Sequence, residues 1–225
     1  MDERLIRTGA LLGPEAMEKL KKAHVAVVGI GGVGSWCAEA LARSGVGELT
    51  LMDFDEVVPS NLNRQAQALA STIGRPKTEA LAERLRDAAP DVRLRLLPLR
   101  YTPESRETLF EAKPDYIADC IDAVGDKCDL IAGALGRSIP LVSSMGTGGK
   151  TDASLLRLGD LAKTEMDPLA RAVRRELRKK GVNHVSVVWS PEEPKTAPGK
   201  PGTVMWVPAA AGLLMAQKII TDIIQ

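Results

Sequence analysis

The run from His24 to Gly34, His-Val-Ala-Val-Val-Gly-Ile-Gly-Gly-Val-Gly, limits what this chain can fold into more than any other stretch. Four apolar residues read as a strand. They run straight into a glycine cluster, and Ser35-Trp-Cys-Ala-Glu-Ala-Leu41 begins a helix. Gly29, Gly31 and Gly34 keep the G-x-G-x-x-G spacing that allows a tight turn, a close approach to phosphate and close packing of helix on strand. Backbone N–H groups at such a helix start form an anion site. A glycine-rich turn without a ligand is the plain alternative. The strand before it and the helix after it favour a nucleotide.

The rest of the chain repeats the alternation. Strands are expected at 24–29, 48–53, 92–97, 116–122 and 140–144, with helices at about 32–44, 77–88, 104–112 and 125–136. Alternating strands and helices imply parallel βαβ units and a Rossmann-like, doubly wound α/β fold with a mostly parallel sheet. The 2–22 segment reads as one amphipathic lead-in helix. After residue 145 the pattern changes to an α+β extension. It holds a second glycine-rich segment (146–152), strands at 153–158 and 184–189, a basic helix at 167–180, a Pro/Gly-rich loop at 190–202 expected to be mobile, and an apolar closing helix at 207–224. Length and 44% hydrophobic content suffice for one domain over 1–225, made of a nucleotide-binding core (1–145) and a substrate-side extension (146–225).

Composition excludes several functions. Lys and Arg number 30 against 29 Asp and Glu, so any nucleic-acid surface must be a local patch. Three cysteines without a CxxC pair read as reduced core residues in a cytoplasmic protein, and they cannot form a Cys₄ zinc site. No signal-peptide core and no run long enough for a membrane span are expected. Aromatics at 3% argue against a base-stacking platform.

Asp53 ends the second strand, 24 residues after Gly29, where a carboxylate can accept from both ribose hydroxyls. That position fits NAD and ATP alike. The polar residues beyond it favour the triphosphate, which carries about four charges and needs side-chain cations and a metal ion. Asn61, Arg64, Gln65 and Lys77 are suitable donors, and Asp122, at the end of the fourth strand, suits Mg²⁺. The competing reading for Asp122 is a helix N-cap.

These residues carry a resemblance. Gly29-Ile-Gly-Gly-Val-Gly34, Asp53-Phe-Asp55, Ser60-Asn-Leu-Asn-Arg-Gln65, Gly74-Arg-Pro-Lys77 and Asp119-Cys-Ile-Asp122 resemble the E1-like adenylating superfamily. The resemblance implies that Gly31 and Gly32 approach ATP, with Gly29, Gly34 and Asp55 in the same motifs. It further implies that Asp53 holds the ribose, that Asn61, Arg64 and Lys77 grip the phosphates beside Gln65, and that Asp122 holds Mg²⁺. Arg7 is similar to an arginine that many members send into the partner subunit's site. Gly146-Thr-Gly-Gly149, Asp160-Leu-Ala-Lys163-Thr164 and Asp167-Pro-Leu-Ala170 with Arg174-Arg175 resemble the tRNA threonylcarbamoyladenosine dehydratase branch. That branch implies a tRNA substrate, a homodimer, a monovalent cation (Na⁺ or K⁺), no zinc, and a sulfurtransferase system as a further partner.

Arg171, Arg174, Arg175 and Arg178 share one helix face, a stripe suited to RNA phosphates and otherwise a solvated surface. Asp160, Lys163 and Asp167 are expected to order a loop over the site, and His24 and His184 to be structural. Two rival readings remain: an adenylating activator of a ubiquitin-like sulfur-carrier protein, and an NAD-dependent oxidoreductase or nucleotide-sensing module.

Overall fold

The computed structural model describes residues 2–196 and 202–225. Seven strands form one sheet: β1 (His24–Val28), β2 (Glu48–Met52), β3 (Arg93–Leu97), β4 (Tyr116–Asp119), β5 (Leu141–Ser144), β6 (Arg157–Asp160) and β7 (Ser186–Trp189). Their order is β3-β2-β1-β4-β5-β7-β6. Every neighbouring pair is parallel except β6 with β7. The order reverses between β1 and β4, so the chain leaves those neighbouring strands in opposite directions along the sheet. In open α/β sheets a crevice opens at that point, at the carboxyl ends of the strands.

The helices are α1 (Ile6–Leu12), α2 (Pro14–Lys22), α3 (Gly34–Arg43), α4 (Lys77–Ala88), α5 (Arg106–Phe110), α6 (Val124–Gly136), α7 (Pro168–Lys179) and α8 (Trp206–Ile224). All five residues of β1 are buried because helices cover both of its faces. Val25 and Val27 join the core with Leu20, Leu41, Leu81, Met215 and Ile219, whereas Ala26 and Val28 join the core with Leu109, Ile131, Val173 and Leu177. Thus α2, α3, α4 and α8 line one face and α5, α6 and α7 the other.

Four differences from the expected elements have physical causes. The lead-in helix is split by Gly13 and Pro14. Strand β4 ends at Asp119, whose own carboxylate accepts the Ile121 N–H that would otherwise face a neighbouring strand (3.1 Å). The segment 153–155 is a 3₁₀ turn started by Asp152, whose side chain accepts the Ser154 N–H, so β6 begins only at Arg157. Finally, α8 is 19 residues long and apolar enough to cross a bilayer by length and composition alone, which corrects the expectation that no such run exists. Here its inner face, Ala211, Met215 and Ile219, is packed into the core.

The loop 190–202 is only partly described, since 197–201 lie outside the described residues. Its described legs are well tied. Glu192 accepts the N–H groups of Thr151 and Asp152 at 2.9–3.0 Å, and Gly149 bonds Lys195 on one side and Gly202 on the other.

Helix α8 crosses the start of α3 so closely that a Cβ on Gly212 would lie 2.4 Å from the Val33 carbonyl oxygen. Gly212→Ala is therefore expected to cost about 1–3 kcal/mol in urea unfolding. Leu213→Ala, on the neighbouring residue that is 51% exposed, should stay within about 0.5 kcal/mol.

Candidate functional site

The crevice at the switch point is a cleft of about 850 Å³. Its floor is the turn after β1. Gly29 has φ +84°, and a Cβ there would meet the Cys120 carbonyl oxygen at 2.9 Å; one on Gly34 would meet the Gly29 oxygen at 1.9 Å. Gly34 does not line the cleft; it is buried beneath the turn and lets α3 start against β1. Gly32 lies under the Arg64 side chain, whose methylenes sit 3.3 Å from where a Cβ would be. The Trp36 indole N–H donates to the Arg64 carbonyl (2.9 Å), and the guanidinium donates to the Ser60 carbonyl (2.7 Å) and Asn63 Oδ1 (2.9 Å).

Asp53 ties the second strand to this turn. Its Oδ2 accepts the Ile30 N–H (2.8 Å) and its Oδ1 the Asp55 N–H (2.9 Å). Burial pushes its carboxyl above the usual range, opposed by the Lys77 ammonium and the two backbone N–H groups. Lys77 Nζ is 2.7 Å from Asp55 and 3.9 Å from Asp53. Asn61 Oδ1 accepts the Val58 N–H, and Gln65 Oε1 accepts from Gln67.

Gly29, Gly31, Gly32, Asp53, Asp55, Asn61, Arg64, Gln65, Lys77 and Asp122 all line the cleft. Asp122 is exposed, and the N-cap of α6 is Ala123, so capping does not account for it. Among the described residues no three His, Cys, Asp or Glu side chains converge on a metal position. The donor set fits an ion that takes one carboxylate and completes its shell with phosphates and water.

Arg7 stands exposed on α1 and contributes nothing to this chain's own cleft. The arginine stripe has divided duties. Arg174 donates to the Leu161 and Thr164 carbonyls (3.1 and 2.8 Å) and to Thr164 Oγ1 (2.6 Å), holding the 161–164 turn. Arg175 pairs with Glu176 (3.1 Å), Arg178 lies exposed near the end of α7, and Arg171 lines a smaller cavity beside the main cleft. Asp160 caps the 161–163 turn and meets His184 at 3.0 Å. Buried His24 bonds Thr50 (2.8 Å), and its burial lowers its pKa.

Sequence pattern does not reveal two buried ion pairs that the fold assembles. Lys127 and Asp119, each with no exposed side-chain surface, meet at 2.8 Å. Ser143 closes the triangle, donating to Asp119 (2.6 Å) and accepting from Lys127 (3.0 Å). The other Asp119 oxygen holds Ile121, one residue before Asp122. On the opposite wall Lys150 meets Asp167 at 2.8 Å and donates to the Ser190 carbonyl (3.0 Å), while Asp167 also accepts the Ala170 N–H at the start of α7 (2.9 Å). A lysine inside an apolar helix run and one closing a glycine run are the only sequence signals for these groups.

Removing one partner of a buried pair leaves an uncompensated charge. Lys127→Met should therefore cost about 3–5 kcal/mol, and adding Asp119→Asn should recover most of that loss in urea unfolding.

Comparison with known proteins places the geometry. The model of the ThiF family matches residues 3–225. The tRNA threonylcarbamoyladenosine dehydratase of Bacillus subtilis (strain 168) is 39% identical, over 97% of this chain and 94% of the relative. The crystal structure of the Escherichia coli dehydratase TcdA in complex with ATP superposes with a TM-score of 0.93 at 38% identity, covering 98% of this chain and 93% of that one. By contrast, the molybdopterin-synthase adenylyltransferase of Escherichia coli (strain K12) is 37% identical over 57% of this chain and 51% of its own length. A likeness that runs the whole length of the chain means that it belongs to the ThiF family.

Proposed function

We propose that the chain is an ATP-dependent tRNA threonylcarbamoyladenosine dehydratase. The observation that carries this reading is the extent of the likeness. It continues through 146–225, the part that supplies Gly146–Gly148, Lys150 and Asp167–Leu169 to the cleft, whereas the carrier-activating relative matches little more than half of the chain. The three thiols also support it. Burial pushes Cys37 up to about 12 and Cys128 up to about 11, and holds Cys120 well above its ordinary value, so none offers a thiolate for a carrier thioester.

In this reading ATP lies on the glycine turn with its ribose on Asp53 and its phosphates against Arg64, Lys77 and Asn61. The substrate carboxylate attacks the α-phosphorus, forming an acyl phosphate bond and expelling pyrophosphate. The ureido nitrogen then attacks the acyl carbon. A carbon–nitrogen bond forms, the bond to AMP breaks with its electron pair on AMP, and the ureido proton leaves. Both reacting groups sit on one nucleotide, so the second step gains from effective concentration. Arg64 and Lys77 counter the charge on the phosphates in a partly dry cleft. Asp122 would hold Mg²⁺, which supplies charge neutralisation on the pyrophosphate when bound.

The resemblance adds a homodimer that receives Arg7 in the partner's site, a monovalent cation, a sulfurtransferase partner, one adenylation unit over 1–225 and a cytoplasmic setting. These belong to the proposal.

The test is AMP formation from ATP with tRNA carrying or lacking threonylcarbamoyladenosine, with nucleoside mass analysis of the product. Release of AMP only with the modified tRNA, with loss of one water from the nucleoside, is expected. Cleavage indifferent to tRNA but stimulated by a Gly-Gly carrier would overturn the reading.

Two variants sharpen it. Asp122→Ala should lower turnover by about 100-fold or more with an unchanged melting temperature, and retained turnover would contradict the role given to Asp122. Asp53 must be ionised to hold the ribose, so ATP affinity should fall as pH drops through its raised pKa. The fold behaves oppositely, because a carboxyl raised in the folded state gains stability as pH falls. Asp53→Asn should weaken ATP binding and abolish this acid-side dependence, read by calorimetry across pH, at the cost of one of the two backbone hydrogen bonds that the carboxylate accepts.

A further inference from the structure

Beside the main cleft lies a second cavity of about 290 Å³, and the two share Asp167, Pro168 and Pro194. Asp167, which lines both, is pinned by Lys150 and by the first turn of α7. Two features of this cavity serve neither the fold nor the ATP site. Arg171 lines it, is exposed, and makes no ion pair among the described residues, whereas the neighbouring Arg174 is committed to the 161–164 turn. Met166, at its rim, is 56% exposed and has φ +53°, a left-handed conformation that a side chain rarely adopts without local compensation. An apolar side chain is held out over a cavity at a conformational cost.

We propose that this cavity is a subsite for the RNA nucleotide next to the modified adenosine, with Arg171 on its phosphate and its base against Met166 and Pro194. The proposal rests on the tRNA reading of the main cleft. A polymer that sends one modified base into the cleft must lay its neighbouring nucleotide on the adjoining surface, and this cavity adjoins the cleft through Asp167, Pro168 and Pro194 and includes none of the glycine-turn residues. A guanidinium is suited to a phosphodiester, and a flat apolar contact accepts a base face without needing an aromatic. Glu165 and Glu193 also line the cavity. They disfavour a second phosphate there and offer acceptors to an exocyclic amino group.

The experiment uses the full chain and modified tRNA, and reads KM and kcat for tRNA, ATP affinity and the salt dependence of binding. Arg171→Ala should raise the KM for tRNA about tenfold, leave kcat and ATP affinity unchanged, and reduce the slope of log affinity against log salt by about one. Arg171→Lys should restore most of the loss, because a phosphate contact needs the charge. Met166→Gly relieves the backbone strain, so its melting temperature should not fall while its KM for tRNA rises several-fold. An unchanged KM in Arg171→Ala would overturn the subsite. So would a fall in kcat or ATP affinity alongside KM, which is the signature of a structural role. A wild-type protein that releases no AMP with modified tRNA would overturn the functional reading and the subsite with it; turnover with an indifferent Arg171→Ala would overturn the subsite alone.

Discussion

The contact on which everything else depends is backbone against backbone. The glycine turn after β1 touches the chain leaving β4, close enough that a Cβ on Gly29 would stand 2.9 Å from the Cys120 carbonyl oxygen. That approach brings the glycine turn and Asp122 to one mouth. It requires the switch in strand order between β1 and β4, which directs the two segments after them apart and opens the cleft between them. It also requires β4 to stop early. The Asp119–Lys127–Ser143 triangle performs that stop, turning the chain at Ile121 by taking its N–H onto a buried carboxylate.

The chain after residue 145 extends the same logic. Strand β7 adds to β5, so the sheet passes from residues 1–145 into residues 146–225 without a break. The Gly146–Lys150 segment then leaves β5 at the same edge as the glycine turn and becomes the opposite wall. Lys150, Asp167 and Ser190 bind that wall to α7 and to the end of β7. The Asn61–Gln65 side is tied to it at a distance: Asn63 donates to the Thr203 carbonyl (2.8 Å), and Trp206 donates to the Thr151 carbonyl (2.7 Å). The two walls are thus joined by hydrogen bonds through the start of α8.

Much of this architecture is legible in the sequence. Glycine spacing, apolar runs and their alternation with helices are local signals, and they locate β1, α4 and the sheet class closely. The expected site residues that line the cleft, from Gly29 to Asp122, are legible for the same reason, because each lies in a short local motif, at a strand end or in the segment from β2 to the start of α4. The illegible parts depend on distant partners. Lys127 and Lys150 look like ordinary surface lysines until the fold brings Asp119 and Asp167 to them. Arg174 looks like one of four equal arginines until the 161–164 turn packs under it. The strand expected at 153–158 begins late because Asp152 caps a turn, a local effect that hydrophobic pattern does not register.

In the proposed mechanism one cleft brings a substrate carboxylate to the α-phosphate of ATP and then closes the ring on the same nucleotide. Labelling the threonyl carboxylate of the modified tRNA with oxygen-18 and weighing the AMP released tests this at the reacting atoms. With both carboxylate oxygens labelled, the expected products are AMP carrying one labelled oxygen and a cyclised nucleoside that keeps the other. Unlabelled AMP released together with the cyclised nucleoside would contradict the mechanism.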